Sequence, residues 1–230
     1  MSKTFPVIEL FGPVLQGEGR MIGTPTLFAR FGYCDYRCSW CDTLYAVLPE
    51  EVQRAATQMT AIEIRERLRA LDATVPWVTL SGGNPAMHDL SELVELLHAD
   101  GRKVAVETQG TVFREWLPAC DVVTVSPKPP SSTMHTDLAQ LDRFVSLANA
   151  NIKVVVFDDA DFAYAREIHA RYPDVPFYMQ VGNTVGMDDA QALLAKLDWL
   201  GQKVLADETM QSTIVLPQLH VLLYGNRRGV

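Results

Sequence analysis

The chain has 230 residues, 48% of them hydrophobic and 9% aromatic, which is enough for a packed core and excludes a disordered chain. Lys and Arg number 20 against 28 Asp and Glu, a net charge of −8, so the long-range field repels a phosphate backbone and no nucleic-acid partner is expected. No apolar run reaches the roughly 18 residues of a membrane span, and residues 1–10 lack a signal peptide's apolar stretch and cleavage site, so a cytoplasmic protein is expected.

In chain order, Val7 to Phe11 reads as a short strand, broken by Gly12 and Pro13. Residues 15–25, LQGEGRMIGTP, read as a glycine-rich loop, and Thr26 to Phe31 as a strand running into a group of cysteines. Thr60 and Glu63 have capping-box spacing, and Ala61, Ile64, Leu68 and Leu71 follow with helical periodicity. Strands are expected at Trp77–Leu80, Lys103–Glu107, Val122–Val125, Ile152–Phe157 and Pro176–Gln180. Helices are marked by Leu90, Leu93, Val94 and Leu97, by Phe162, Ala165 and Ile168, and by Ala190, Leu193, Leu194 and Leu197. Leu219 to Leu223 reads as a last strand.

Strand, polar loop and helix thus recur about six times, the pattern of a parallel α/β sheet. Apolar strands covered on both faces suit a barrel or an open doubly wound sheet. Nothing resembles GxGxxG after the first strand, which argues against a dinucleotide fold. A complete eight-unit barrel needs about 250 residues, so six units with a long early insertion fit better, in one domain spanning residues 1–230. Polar residues gather after the strands: Ser81-Gly82-Gly83-Asn84-Pro85, Thr108-Gln109-Gly110, Ser126-Pro127-Lys128 and Val181-Gly182-Asn183. That edge carries the chemistry in parallel α/β folds.

Cys34, Cys38 and Cys41 form a CxxxCxxC motif, while Cys120 stands alone and reads as a small buried hydrophobe. Thiolates so spaced can converge on one metal centre. A structural zinc site wants a fourth ligand, here a His or Asp, and a ferredoxin run wants a fourth cysteine and a proline. Three thiolates on a [4Fe–4S] cluster would leave one iron open to a small molecule's amino and carboxylate groups.

This motif at the end of an early strand resembles the radical S-adenosylmethionine (SAM) superfamily. LQGEG (15–19), FARFGYCDYRCSWCDT (28–43), SGGNPA (81–86), ETQG (107–110), SPKPP (126–130) and QVGN (180–183) narrow the resemblance to the 7-carboxy-7-deazaguanine synthase family, over nearly the whole chain. Asn84 stands where many radical SAM enzymes, and part of this family, carry Glu.

The resemblance implies a partial (β/α)6 TIM barrel and a lyase of queuosine biosynthesis. In the implied reaction a reduced cluster cleaves SAM, the resulting radical takes a hydrogen from 6-carboxy-5,6,7,8-tetrahydropterin, and the ring contracts with loss of ammonia. Cys34, Cys38 and Cys41 would hold the cluster. Gly83, Ser126, Pro127, Lys128, Gln180, Val181, Gly182 and Asn183 would meet SAM. Leu15, Gln16, Gly17, Arg30, Ser81, Glu107 and the carboxylate of Val230 would meet substrate, and Thr43 would bind Mg²⁺. A homodimer served by a flavodoxin or ferredoxin is also implied. Several residues keep a plainer alternative. Arg30 could pair a local Asp, Glu107 could pair Lys103, and Glu18 could be solvated rather than bound to the substrate's amino edge. His220 could simply be hydrogen-bonded, and Thr43 could cap a turn. Arg227, Arg228 and Val230 predict a tail folded over the substrate mouth. The alternative functions are a glycyl-radical activase and a zinc-bound interaction module.

Overall fold

Successive residues of a strand face opposite sides of its sheet, and here the two sides differ in chemistry. The computed structural model describes residues 3–183 and 190–229. The elements in order are β1 (Thr4–Leu15), β2 (Pro25–Phe31), α1 (Leu44–Val47), α2 (Pro49–Ala55), β3 (Thr57–Thr60), α3 (Ala61–Leu71), β4 (Trp77–Gly82), α4 (Ser91–Ala99), β5 (Lys103–Thr108), β6 (Val122–Val125), α5 (Leu138–Val145), β7 (Ala150–Val156), α6 (Asp159–Arg171), β8 (Phe177–Val181), α7 (Ala190–Ala206), β9 (Ile214–Leu216) and α8 (Leu219–Tyr224). They build one sheet in the order β3-β1-β2-β4-β5-β6-β7-β8-β9. The strands from β2 to β9 run parallel, while β1 is antiparallel to β2 and β3 to β1. This is the expected partial barrel of β2 and β4 to β8, extended by the short β9.

One face packs under the helices. Leu27, Ala29, Phe31, Val78, Leu80, Val104, Val106, Val123, Val125, Ile152, Val154 and Val156 share a buried cluster with Ile64 and Leu68 of α3, Leu93 and Leu97 of α4, Phe144 of α5 and Ile168 of α6. Cys120 joins that cluster, with its thiol pushed up to about 12 by burial, and fits the buried-hydrophobe reading. The opposite face carries Arg30, Ser81, Glu107, Thr124, Lys153 and Gln180. At its base Thr26 and Thr79 hydroxyls meet at 3.0 Å, and Met21, Ala105 and Val122 form a small apolar plug.

The capping box at Thr60 and Glu63 forms and starts α3. Elsewhere the structure corrects the sequence reading. The first strand does not end at Gly12 and Pro13: a register shift between Phe11 and Val14 lets β1 run on. Because β3 pairs only with Thr4 to Val7, Pro13 lies where β1 has an open edge and no lost ladder bond. The run Leu219–Leu223 is helix α8, ended by Gly225 at φ 64°. A short apolar run carries no decisive period, and Leu219 N–H is spent on Gly17 O at 2.9 Å rather than on a ladder. Helix α5 was not expected; the Asp137 carboxylate starts it by accepting from the N–H groups of Ala139 and Gln140. Among the described residues, no helix is long and apolar enough to cross a membrane.

Candidate active site

Strand register assembles the site. Arg30 of β2 lies beside Ser81 of β4, Glu107 of β5 beside Thr124 of β6, and Lys153 of β7 beside Tyr178 of β8. Of these, Arg30, Ser81, Glu107 and Lys153 line a cavity of about 330 Å³ at the carboxyl ends of the strands. Leu15, Gln16, Gly17, Arg30, Ser81 and Glu107 line it, as do Gly83, Ser126, Lys128 and Asn183, the three clustered cysteines, and Thr43. Segments far apart in sequence therefore converge on one cavity.

Pro127, Gln180, Val181 and Gly182 are not among the lining residues. Gln180 is fully buried; its Oε1 accepts from Gly19 N–H at 3.3 Å and its Nε2 has no partner. Gly182 packs beneath the Phe157 ring, which stacks obliquely on Trp40 with centroids 5.2 Å apart. Val230 lies outside the described residues.

A buried ion cluster forms the floor. The Lys153 ammonium donates to Glu18 Oε2 and lies 3.4 Å from both Glu107 oxygens, while Gln218 Nε2 donates to Glu18 Oε1 at 2.8 Å. Burial opposes the charge on Glu18, but Lys153 and His220 outweigh it and hold the carboxyl well below its ordinary 4.5. Burial likewise opposes the Lys153 charge, and Glu107 and Glu18 outweigh it, so its pKa is raised. Glu107 thus pairs Lys153 rather than Lys103, and Glu18 is not a solvated loop residue. Lys153 was missed in sequence, yet a lysine inside the run Ile152–Val156 was a legible signal: a charge in a fully buried strand needs a partner.

The cysteine loop is held by its neighbours. Ser39 N–H donates to Ser132 O at 3.0 Å and Trp40 Nε1 to Ser131 Oγ at 2.9 Å. Gly83 N–H reaches Phe31 O at 3.0 Å, and a Cβ on Gly83 would lie 2.1 Å from Tyr33 O. Glycine is therefore required for the turn to touch the cysteine loop, in addition to presenting bare backbone. Asn84 points away from the cavity, fully buried: it donates to Asp35 Oδ1 and Thr111 Oγ1 and accepts from Thr108 Oγ1 and Ala86 N–H. Burial pushes the Cys38 thiol up to about 11 and raises Cys34 as well, so both stay protonated until a metal displaces the proton. Among the described residues, no three His, Cys, Asp or Glu side chains gather as a single-ion site requires.

The remaining candidates fall as follows. Arg30 Nε donates to Glu9 Oε1 at 2.6 Å, so its partner is a Glu across the strand pair rather than a local Asp, and its Nη groups carry no protein hydrogen bond among the described residues. Thr43 opens α1 without a side-chain capping bond, its hydroxyl 3.7 Å from Cys41 Sγ. His220 sits on α8 against Gly17, not in a strand. Lys128 Nζ donates to Ser126 O and Oγ, both at 3.0 Å, and its pKa is lowered by burial. The tail reaches the cavity through Asn226, Arg227, Arg228 and Gly229. Arg228 Nε donates to Glu9 Oε2 at 3.0 Å and its guanidinium lies 3.7 Å over the Tyr45 ring.

Known proteins resemble the chain throughout. The 7-carboxy-7-deazaguanine synthase of Bacillus cereus is 46% identical over 240 residues, covering all of both chains, and that of Bacillus subtilis is 43% identical over 244 residues with the same coverage. The chain belongs to the 7-carboxy-7-deazaguanine synthase family. Residues 30–130 match the radical SAM superfamily, whose members use a [4Fe–4S] cluster and SAM. The crystal structure of QueE from Escherichia coli superposes with a TM-score of 0.72 over 94% of this chain and 95% of that one, at 24% identity, so the fold is shared. Full-length family membership sets aside the activase and zinc-module alternatives.

Proposed function

We propose that the cavity is where 6-carboxy-5,6,7,8-tetrahydropterin contracts to 7-carboxy-7-deazaguanine with loss of ammonia. The chain is a radical SAM lyase of queuosine biosynthesis. The observation that carries the assignment to this cavity is the meeting of three cysteines, the glycine turn and a row of polar strand residues in one space of about 330 Å³. The donor set suits the cofactors: thiols for iron, and two orphaned buried polar atoms, Ser81 Oγ beside the cavity and Gln180 Nε2 behind it, for small-molecule partners.

Hydrogen abstraction is the chemistry supplied by the bound cluster and SAM. The chain's residues bind, orient and exclude water. Cys34, Cys38 and Cys41 hold the cluster. Gly83, Ser126, Lys128 and Asn183 would hold SAM from the cavity wall, with Pro127, Gln180, Val181 and Gly182 supporting them from behind it. Leu15, Gln16, Gly17 and Ser81 contact the pterin, and the carboxylates of Glu18 and Glu107 suit its N–H donors. The Nη fork of Arg30 suits the substrate carboxylate, and the resemblance adds the carboxylate of Val230 as a further substrate contact. Thr43, whose hydroxyl makes no capping bond and which lines the cavity, supplies a hard oxygen for Mg²⁺, which keeps several waters and few protein ligands. The tail closes the mouth. The same resemblance supports a cytoplasmic homodimer of one radical SAM domain each, reduced by a flavodoxin or ferredoxin.

The test is anaerobic reconstitution with iron and sulfide, followed by carboxytetrahydropterin, SAM, Mg²⁺ and reductant. Deazaguanine product and released ammonia are expected only with all components. A fully loaded enzyme that cleaves SAM but leaves the pterin unchanged would overturn the reading.

A further inference from the structure

The segment ETQG contributes Glu107 to the cavity floor, but its glutamine has no role in the reading above. Gln109 is 6% exposed. Its Nε2 lies 3.3 Å from Cys34 Sγ and 2.5 Å from Asp35 Oδ1. Both neighbours are acceptors, so the amide nitrogen must face them, and its two hydrogens match two acceptors. Asn84 Nδ2 donates to the same Asp35 oxygen at 2.9 Å, which holds the carboxylate in place. Gly110, at φ 85°, makes the turn after β5 that sends Gln109 towards the cysteine loop. A Cβ there would lie 2.7 Å from Val125 Cγ1. Tyr36 N–H adds a second contact to Cys34 Sγ at 3.4 Å. Among the described residues, Cys34 alone of the three clustered cysteines receives a side-chain amide.

We infer that Gln109 is a positioning residue for the iron–sulfur centre, donating to the Cys34 sulfur and raising the reduction potential of the cluster that sulfur holds. The inference rests on Cys34 being a cluster ligand. Uptake of one electron from the reductant puts negative charge on the cluster and its sulfurs. A donor to sulfur stabilises that reduced form more than the oxidised one. Asp35 sets the opposite field beside Cys34, and the Gln109 amide is interposed between that carboxylate and the sulfur. Asn84 belongs to the device because it anchors Asp35, which in turn orients the Gln109 amide. In this chain, the Asn of the Gly-Gly-Asn-Pro turn acts on the cysteine loop.

The experiment is a reductive titration of the reconstituted protein without SAM or substrate, so turnover plays no part. Gln109→Leu removes the donor and keeps bulk. Gln109→Glu keeps shape and replaces the donor by an acceptor. The expected order of midpoint potentials is parent highest, Gln109→Leu lower and Gln109→Glu lowest. At fixed potential the reduced-to-oxidised ratio should fall roughly tenfold, the equivalent of losing one hydrogen bond to a charged group. Iron content and melting temperature are read alongside, because a merely structural role would lower those and leave the midpoint in place. If one variant fails to load iron, the midpoint of the other decides. Unchanged midpoints in loaded variants, or failure of both to load with the parent's circular dichroism, would overturn the tuning role. Cys34→Ala is the control: full cluster retention there would overturn the ligand reading instead, and the two failures are therefore distinguishable.

Discussion

The two faces of the sheet are made from the same strands, yet they do different work. In β5, Val104 and Val106 are fully buried in the core, while Glu107, the next residue, reaches the ion cluster across the barrel. The helix-covered face is held by apolar burial, at about 25 cal/mol per Å². The inner face puts charge into the same interior and offsets its desolvation with partners: Lys153 between Glu18 and Glu107, and Arg30 against Glu9. A strand can thus serve stability and chemistry at once because its period is two. Substitutions on the two faces should separate in what they damage.

The largest effect is expected at the mouth. Cys38→Ala should abolish turnover and lose most cluster iron with little change in melting temperature, whereas Cys120→Ala should keep both iron and turnover. Iron analysis and anaerobic assays decide, and a Cys38→Ala protein with a full cluster would break the assignment.

Next comes the floor, where the two faces cease to be separable. Lys153→Met leaves Glu18 and Glu107 without their cation, and breaking a buried pair costs about 3–5 kcal/mol. Adding Glu18→Gln and Glu107→Gln should restore most of the stability but not the activity, as measured by denaturant unfolding and turnover. Acid should sharpen this. Glu18 is held below its ordinary 4.5, so its pairing contributes in full above that pH and is lost as pH falls below it. Lys153, held above its ordinary 10.5, contributes in full below that pH and loses its share only in strong alkali. Parent stability should therefore fall more steeply in acid than that of the triple variant; parallel curves would show that the cluster is not coupled to folding.

On the covered face, Leu80→Ala should cost about 2–5 kcal/mol through lost burial and the cavity left behind. Turnover per loaded, folded molecule should match the parent. A fall in that turnover would mean the two faces are mechanically linked through β4.

The smallest effect is expected at Thr43. Thr43→Val should keep cluster, SAM binding and stability while weakening the stimulation of turnover by Mg²⁺. Turnover against Mg²⁺, with chelator controls, decides; equal responses would remove Thr43 from the site.

Much of this was legible from local signals. Thr60 and Glu63 marked the start of α3 because a capping box is made within one turn. The cysteine spacing and the glycine turn marked the edge where the cavity lies. Other elements resisted for identifiable reasons. The run Leu219–Leu223 was too short to show a period, and a hydrogen bond from Leu219 N–H to Gly17 O, at the far end of the chain, helps place it as helix. Pro13 looked like a strand breaker because its tolerance depends on where β3 ends.

By itself, then, the sequence determined the alternation of strands and helices, the cysteine motif and the family, because periodicity, capping and motif spacing act within a few residues. Tertiary structure alone decided which charges meet. Lys153 finds Glu18 across 135 positions and Glu107 across 46, and Arg228 finds Glu9 across 219. Such partners are chosen by strand register and barrel curvature, which bring distant segments to one depth of one interior. No local pattern records that choice. The same registers turn the Lys153 in an apolar run from an apparent anomaly into the centre of the cavity floor.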